Sequence, residues 1–405
     1  MKTINDEVWW KWEQQLNLAP GSSDLIPSVR ERMQRHYVNP WNQDFMTFYE
    51  ETCERLKGLF NTRHDVIIQV GPIRVAMDTA INSIVEPGDK VIICRNGHWS
   101  DQFRILVELS GGEPIIIDDV WGRSFSVDLL RDEIKRYRGQ AKALVLTHVE
   151  TSTGIVNPVA EVGRVAREND LLFILDSAQS LGGMEVRMDE WNVDLCIGGS
   201  HKCMSAPAGT AFLAISPRVW ETIRKRAVPI RGWFTNLEIW RDIANWTHLI
   251  TWPTSAMYGL QASLDIIAED PHRIYKRHAV AAKAIRWGVS EMGLKLIPDG
   301  SNCPGCDSPD RICSDTSTAV CYPPGVNYES LSGILYSRYN VAIGGGLGKL
   351  REKNFRFGPT GLSQIAPGAV MHGLSSVGMT LKELGVNMEV ERGLMAARSV
   401  LDEMP

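Results

Sequence analysis

A lysine and an aspartate, 26 residues apart, are the residues of this chain best suited to covalent chemistry. Lys202 and the preceding His201 follow the apolar run DLCIGG, and Asp176 closes the apolar run LLFILD. A partly buried amine has a lowered pKa and can form a Schiff base with a carbonyl compound. A carboxylate at the end of an apolar strand is costly to bury unless a cation pairs with it. The two residues therefore predict a site that holds a cationic group and reacts with a carbonyl.

Three further apolar runs are each followed by residues that suit a ligand. A turn that includes Ile73 and Arg74 follows VIIQV and opens a helix, where free N–H groups and the helix dipole favour an anion. Trp99 follows KVIIC, where an indole can stack on a flat heterocycle, and Ser152 lies in the hydroxyl-rich segment after ALVLTHV. Each feature also has a purely structural explanation: a common turn, a core tryptophan, or local turn bonds.

The elements that must position these residues are predicted by short β-branched runs that alternate with helical stretches. Such alternation indicates βαβ units and a mostly parallel sheet, in which ligands bind at the carboxyl ends of the strands. We therefore expect the residues named above to meet at one edge of the sheet. The predicted strands are 66–70, 90–94, 113–118, 143–149, 171–176, 194–199 and 209–215.

The rest of the chain predicts a smaller α+β domain. Between the strands of the large domain, helices are expected near 73–85 and 158–168. Beyond the last of these strands, a strongly helical stretch is expected over 255–291 and a closing helix near 379–401, with strands in STAVCY and NVAIGG. The expected organisation is an N-terminal arm (1–20), a large domain (21–270) and a small C-terminal domain (271–405).

An anion site, a stacking ring, hydroxyls, a carboxylate and a lysine in one crevice together meet the needs of pyridoxal 5'-phosphate. The chain resembles the class V aminotransferases of pyridoxal-phosphate fold type I, from about residue 18 to 400. The resemblance rests on Gly199-Ser200-His201-Lys202 with SAPAGTAFLAIS, on LDSAQSLGG, on TSTGIVNP and on FRFGPTG. It is strongest to the alanine–glyoxylate, ureidoglycine–glyoxylate and pyridoxamine–pyruvate aminotransferases. It implies an α/β fold whose large domain has a mostly parallel seven-stranded sheet.

The resemblance also implies roles for single residues. Lys202 would hold the cofactor as an internal aldimine and move a proton between the substrate Cα and the cofactor C4′, while Asp176 would pair with the ring nitrogen N1. Trp99 would stack on the ring face, and Ser152 would reach the O3′ or pyridine region.

Further residues would bind the phosphate and the substrate. Ile73 and Arg74 lie where the family binds phosphate, and His201 replaces a glutamine often found before the lysine. Thr251 matches a threonine that reaches the phosphate from the neighbouring subunit, which implies a homodimer. Arg356 would bind the substrate carboxylate through two parallel hydrogen bonds.

The expected activity is transfer of an amino group from a small amine or amino acid to a small 2-oxo acid, glyoxylate or pyruvate. Two alternatives stay open. One is a pyridoxal-phosphate lyase or cysteine-desulfurase-like enzyme on the same fold, and the other is a non-catalytic relative that acts as a binding or regulatory protein.

Composition narrows the remaining choices. A net charge of −5 does not indicate a basic surface that would bind nucleic acid. No apolar run approaches the length of a membrane span. The N-terminus does not read as a signal peptide, so we expect a cytoplasmic protein. Trp9, Trp10 and Trp12 are expected to pack against the body or a second subunit. The stretch from Cys303 through Cys306 to Cys313 is expected to be a reduced surface loop without metal.

Overall fold

The computed structural model describes residues 15–246, 250–298 and 312–405. The three N-terminal tryptophans and two of the cysteines discussed above, Cys303 and Cys306, lie outside the described residues. Within the described residues, the strands are β1 (Leu16–Asn17), β2 (Asp65–Val70), β3 (Lys90–Arg95), β4 (Glu113–Asp118), β5 (Ala141–Thr147), β6 (Val149–Glu150), β7 (Ile155–Val156), β8 (Leu172–Asp176), β9 (Leu195–Gly199), β10 (Thr210–Ile215), β11 (Thr318–Cys321), β12 (Val341–Ala342), β13 (Gly344–Gly345) and β14 (Asn354–Phe357).

Helices flank these strands and fill the C-terminal part. They are α1 (Pro27–Arg32), α2 (Gln43–Phe60), α3 (Ile73–Ile84), α4 (His98–Leu109), α5 (Val127–Ile134), α6 (Val159–Glu168), α7 (Pro217–Arg224), α8 (Leu237–Arg241), α9 (Ile243–Trp246), α10 (Thr254–Ile267), α11 (Pro271–Glu291), α12 (Tyr328–Ile334), α13 (Pro367–Glu383) and α14 (Val390–Leu401).

The main sheet has seven strands among the described residues, in the order β2-β10-β9-β8-β5-β3-β4. β10 runs antiparallel to both of its neighbours, and the other pairings are parallel. β8, β9 and β10 are buried along their whole length, as the unbroken apolar runs predict for strands covered on both faces. The mostly parallel seven-stranded sheet expected from the sequence is confirmed.

The pairing register places the chemistry at one edge of this sheet. Thr147 at the end of β5 pairs with Asp176, and Asp176 in turn pairs with Ile197 of β9. Because β2, β3, β5, β8 and β9 all run in the same direction, the segments that follow them emerge at the same edge. The turn before α3, the start of α4 and the loop that carries Lys202 are three of these segments.

Two apolar cores divide the described residues. The first packs between the main sheet and its helices, from Phe45 to Ile267, and the second gathers C-terminal residues from Val280 to Leu401 around the three-stranded sheet β11-β14-β13. Leu18 is 1% exposed in the second core, and β1 pairs with β12. The predicted boundaries at 20/21 and 270/271 stay predictions, but the last residues of the expected arm pack as part of the body.

Three local expectations differ from the structure. The closing helix predicted near 379–401 is two helices, α13 and α14, separated by a turn in which Gly385 has a φ of +83°. The helical stretch over 255–291 is also two helices, because Asp270 accepts a hydrogen bond from the Arg273 N–H and starts α11 just before Pro271. Cys313 is buried and disulfide-bonded rather than part of a reduced surface loop. Across the three described stretches, no helix combines the length and apolarity needed to cross a membrane.

Candidate active site

A cavity of about 190 Å³ lies at the carboxyl edge of the main sheet. Its wall contains six of the nine residues that the sequence nominated: Ile73, Arg74, Trp99, Asp176, His201 and Lys202. The sheet topology brings them together from two helix starts, the end of β8 and the loop after β9. The lysine and the aspartate thus face one cavity, as the hypothesis of a shared cationic ligand requires.

Lys202 presents an amine with a lowered pKa to this cavity. Its Nζ donates a hydrogen bond to the main-chain oxygen of Pro20 at 2.7 Å. Burial and, after it, the positive charge of Arg356 lower the pKa of Lys202 to about 8, while Asp176 acts in the opposite direction. The fraction of neutral amine at pH 7 is therefore much larger than for an exposed lysine, which favours a role as nucleophile or proton acceptor.

Asp176 is a carboxylate in an environment that disfavours its charge. The side chain is 5% exposed, and its Oδ1 accepts a hydrogen bond from the Ala178 N–H at 3.0 Å. Burial raises the pKa of Asp176 to about 6, and the Glu150 charge adds to the rise, against the opposing effects of Lys202 and Arg74. The site therefore favours a ligand that brings a positive charge to this oxygen pair.

The start of α3 forms one side of the cavity. Pro72 occupies the N-cap position, and no side chain caps the helix there, so the first N–H groups remain oriented toward the cavity wall that Pro72, Ile73 and Arg74 build. The Arg74 guanidinium lies 5.5 Å from the centroid of the Trp99 ring, and its Nη1 donates to Gln102 Oε1 at 3.3 Å. Arg74 thus adds a positive charge beside the predicted stacking ring.

His201 lines the cavity as a neutral ring. Burial lowers the pKa of His201 to about 4, and the neighbouring Lys202 charge contributes to the decrease. Its Nδ1 has no hydrogen-bond partner among the described residues. A phosphate role for His201 therefore requires a hydrogen bond from the neutral ring and not a charge.

Ser152 does not lie where the sequence analysis expected it. It is fully buried, its hydroxyl donates to Glu150 Oε1 at 2.7 Å, and it accepts from the His98 N–H at 3.0 Å. Because its one hydroxyl hydrogen is already bound, Ser152 has none to offer a ligand. The hydroxyl residue of this segment that lines the cavity is Thr151, one position earlier. The run of three hydroxyl residues gave no way to choose between them.

Glu150 is the functional candidate that the sequence analysis missed. Its carboxylate is fully buried and accepts hydrogen bonds from the N–H groups of Trp99 and Ser100, both at 3.0 Å, and from the Ser152 N–H at 3.1 Å. Burial raises the pKa of Glu150, and these hydrogen bonds oppose the rise. An acidic residue inside an otherwise apolar and hydroxyl-rich run was the available sequence signal.

Arg356 lies beside the cavity on β14. It is 8% exposed, donates from Nε to the Gly345 oxygen at 2.7 Å, and its Nη1 lies 3.4 Å from Thr151 Oγ1. Burial lowers the pKa of Arg356 to about 10, which still leaves the guanidinium protonated at neutral pH. It is therefore a fixed cation next to Thr151 and the cavity that Lys202 lines.

Residues 16–24, which we call the N-terminal strap, contact Lys202 through the Pro20 oxygen. The strap is bound to the second core, because the Gly358 N–H donates to the Leu18 oxygen at 2.6 Å and the Gln364 side chain donates to the Asn17 oxygen at 2.8 Å. It is also bound to the lysine loop, since Ser23 Oγ donates to the Lys202 oxygen at 3.0 Å. The sequence analysis placed residues 1–20 in an N-terminal arm and gave the strap no role at the site.

Thr251 lies apart from the cavity. It is exposed and lines a surface groove with Tyr37, Trp41 and Ile250. The chain therefore does not bring Thr251 to its own site, and the expectation that it serves a neighbouring subunit stays a prediction.

Comparison with known proteins identifies the family to which this arrangement belongs. Residues 19–296 match the family described as aminotransferase class V. The chain is a class V aminotransferase. It is 33% identical over 390 residues to an uncharacterised aminotransferase of Methanocaldococcus jannaschii, covering 95% of this chain and 97% of that one. It is 30% identical over 384 residues to the L-aspartate–glyoxylate aminotransferase of Paracoccus denitrificans, covering 94% of each chain.

A solved class V structure has the same fold over the whole chain. The ureidoglycine–glyoxylate aminotransferase of Bacillus subtilis superposes with a TM-score of 0.88 at 27% identity, covering 100% of both chains. The expected pyridoxal-phosphate fold type I is thus confirmed, and class V aminotransferases of this kind use pyridoxal phosphate.

The residues of the cavity fit this cofactor. Asp176 offers a buried carboxylate to a pyridinium nitrogen, the uncapped start of α3 offers N–H groups to a phosphate, and Lys202 offers its amine to the aldehyde. Two further polar atoms of the wall, Trp99 Nε1 and His201 Nδ1, lack hydrogen-bond partners among the described residues. Buried polar atoms without partners are uncommon in proteins and are often satisfied by a bound molecule.

Proposed function

We propose that this protein transfers an amino group from a small amine or amino acid to a small 2-oxo acid, glyoxylate or pyruvate. The observation that carries the proposal is the position of Arg356, a buried cation beside the cavity that Lys202 and Asp176 share. A guanidinium in this position binds a carboxylate, which every 2-oxo acid carries. Relatives of the chain are named as aspartate–, serine– and ureidoglycine–glyoxylate and pyridoxamine–pyruvate aminotransferases, which supports the same acceptor class.

The residues of this chain divide the work of binding. The start of α3, with Ile73 and Arg74, would hold the cofactor phosphate, Trp99 would lie against its ring, and Asp176 would hold a positive charge at the ring nitrogen. Thr151 would replace Ser152 as the hydroxyl residue that faces the ligand. Bound pyridoxal phosphate supplies an electron sink for the electrons of the substrate Cα–H bond.

Lys202 would carry the proton in both halves of the reaction. Its amine would accept the proton from the substrate Cα and deliver it to the cofactor C4′. Such a proton carrier requires a pKa near the working pH. The pKa of about 8 that burial and Arg356 produce meets this requirement. The cavity wall and the N-terminal strap limit the access of water to that amine.

The cysteines in the described part of the chain do not favour the desulfurase alternative. A desulfurase needs a reactive thiolate, and among the described residues burial raises the thiol pKa of Cys94, Cys196 and Cys203 and leaves them inert. Cys53 has a raised pKa as well, and Cys313 is disulfide-bonded.

We also infer a homodimer in which Thr251 approaches the site of the partner subunit. This inference is supported by the exposed groove around Thr251, where Tyr37 and Trp41 are 65% and 69% exposed. Large exposed aromatic residues grouped in this way are typical of interaction surfaces. The cytoplasmic location stays a prediction from the sequence.

A screen of amino donors against glyoxylate and pyruvate tests the proposed function. The purified protein is loaded with pyridoxal phosphate, and the cofactor absorbance is followed as each donor converts it to the amine form and each oxo acid restores it. We expect conversion by at least one small donor and restoration by glyoxylate or pyruvate. Sulfide release from cysteine without amino transfer would instead support the desulfurase alternative.

A lysine variant tests the assignment of the reactive amine. Lys202→Ala should abolish turnover and the absorbance of the covalently bound cofactor, because no other lysine lines the cavity among the described residues. The control is Lys225→Ala, which removes an exposed lysine 72% accessible at its side chain. Full activity in Lys202→Ala would refute the assignment.

A further inference from the structure

Helix α4, which carries Trp99 in its first turn, is capped by residues from another strand. Its N-cap residue is Gly97, which has no side chain to offer. The first three N–H groups of the helix are bound instead by the segment that follows β5. His98 N–H donates to Ser152 Oγ, and Trp99 N–H and Ser100 N–H both donate to Glu150 Oε2, each at 3.0 Å.

The carboxylate of Glu150 therefore does what a cap residue of the helix itself normally does. Its second oxygen, Oε1, accepts from the Ser152 N–H at 3.1 Å and from the Ser152 hydroxyl at 2.7 Å. All of these partners are donors, so they select the ionised carboxylate. This carboxylate neutralises the positive end of α4 and occupies its N–H groups. The start of α3 is therefore the helix terminus that is available to a ligand anion.

The fit between Glu150 and Gly97 is close. A Cβ added to Gly97 would overlap the Glu150 side chain and come within 2.6 Å of its Oε2. The φ of Gly97 is −175°, an extended conformation that any residue adopts. The glycine is therefore required by the carboxylate and not by its own backbone.

We propose that Glu150 is a positioning residue of the active site, which fixes the Trp99 platform by capping α4 from across the sheet. The proposal rests on the proposed function, because it takes Trp99 to be the surface on which the cofactor ring lies. Glu150 acts through Trp99 and Ser152 and does not line the cavity itself. Its loss would displace the ring platform without removing any group that contacts the ligand.

Glu150→Gln tests the proposal. The variant keeps the shape of the side chain but turns one oxygen into an NH₂ group that faces main-chain donors in either orientation. We expect the affinity of the apoprotein for pyridoxal phosphate to fall by about tenfold or more, and the circular dichroism of the bound cofactor to decrease. Both readouts are independent of turnover.

Asp194→Asn is the matched control. Asp194 is likewise buried and accepts a main-chain hydrogen bond, from the Phe173 N–H at 3.0 Å, but it precedes β9 at the opposite edge of the sheet. We expect this variant to lose thermal stability while it keeps the cofactor affinity and the dichroism of the wild type. The comparison separates a positioning role from a general cost of altering a buried carboxylate.

Gly97→Ala is a second test that leaves every charge in place. Because the new Cβ would displace Glu150, the variant should weaken cofactor binding and reduce the dichroism, as Glu150→Gln does. Gly58→Ala is its control, since a Cβ at Gly58 meets no atom within 4 Å. If Glu150→Gln fails to fold, Gly97→Ala decides the question.

The outcomes separate this proposal from the proposed function. If wild-type protein binds the cofactor and both Glu150→Gln and Gly97→Ala bind it with unchanged affinity and dichroism, Glu150 has no positioning role. If wild-type protein does not bind the cofactor at all, the proposed function fails first. Weakened binding in both variants, with both controls intact, supports the proposal.

Discussion

Single charged side chains in this site are held in states that the folded protein disfavours. Asp176 illustrates the effect, because burial raises its pKa from 3.8 to about 6. Between those two values the folded protein binds more protons than the unfolded chain, so the stability of the apoprotein falls as the pH rises through that window. The ionised carboxylate at neutral pH therefore costs stability until a cationic ligand binds next to it.

Asp176→Asn should make the apoprotein more stable and the cofactor complex weaker. We expect a gain of about 1–3 kcal/mol in the free energy of unfolding at pH 7, because the disfavoured charge is removed. The gain should vanish below about pH 3, where Asp176 is protonated in both states. Urea unfolding at the two pH values measures it. Asp170→Asn, at a 99% exposed side chain, serves as the control, and an equal gain at both pH values would contradict the explanation.

Arg356 should determine the affinity for the oxo acid. Arg356→Gln is expected to raise the KM for glyoxylate or pyruvate by roughly 30-fold or more, since losing one partner of a buried charged hydrogen bond costs about 2–5 kcal/mol. The affinity for pyridoxal phosphate should change little. Steady-state kinetics and cofactor titration give the two values, with the exposed Arg351→Gln as the control. An unchanged KM would show that Arg356 does not bind the oxo acid.

For single residues, the sequence predicted the kinds of functional group in the site better than it predicted which residue supplies each group. Lys202, Asp176 and Trp99 could be predicted because each follows a strand whose direction is fixed by the sheet. Thr151 could not be told from Ser152, because which of two adjacent hydroxyls faces the cavity depends on Glu150, whose contacts with α4 join residues 50 positions apart.

Among the elements, the N-terminal strap has the most direct effect on the reactive lysine. Gly21 has a φ of +106°, and a Cβ at this position would overlap Lys202 Nζ and lie 2.7 Å from Cδ and Cε. The close approach holds the Pro20 oxygen against the amine. A side chain at position 21 and the free movement of Lys202 are therefore incompatible.

Gly21→Ala should slow the reaction of Lys202 with pyridoxal phosphate. We expect a decrease of about tenfold or more in the rate at which the apoprotein forms the covalent bond, because the lysine must be displaced by the new methyl group. Gly209→Ala is the control. Gly209 also has a positive φ, +128°, but its nearest contacts for a Cβ are 3.8 Å away. Equal rates in the two variants would show that backbone strain alone, and not contact with Lys202, is responsible.

The elements of the main sheet were predictable to within one or two residues at most of their ends. β4 spans the predicted residues 113–118, and β8 begins one residue later than predicted. The break between α13 and α14 was missed, because an apolar periodicity that continues on both sides of Gly385 hides the turn. The strap was missed because its partners lie 179 to 347 positions away in the sequence.

The whole molecule exposes an aromatic surface that the dimer hypothesis assigns to a partner subunit. Trp41→Glu should convert the protein to a monomer, because a charge in the centre of an apolar interface is costly to bury. It should also weaken cofactor binding if Thr251 completes the site of the partner. Sedimentation velocity and cofactor titration test both outcomes. Met395→Glu, at another exposed apolar side chain (75%), is the control, and a wild-type monomer that binds the cofactor tightly would contradict the hypothesis.

The strap also sets the order in which a growing chain acquires its reactive centre. Asn17 leaves the ribosome well before its partner, because the side chain of Gln364 that binds its main-chain oxygen is made 347 positions later. The main sheet and its lysine are complete long before that. A nascent chain therefore exposes its reactive amine, without the complete strap, until Gln364 has been translated.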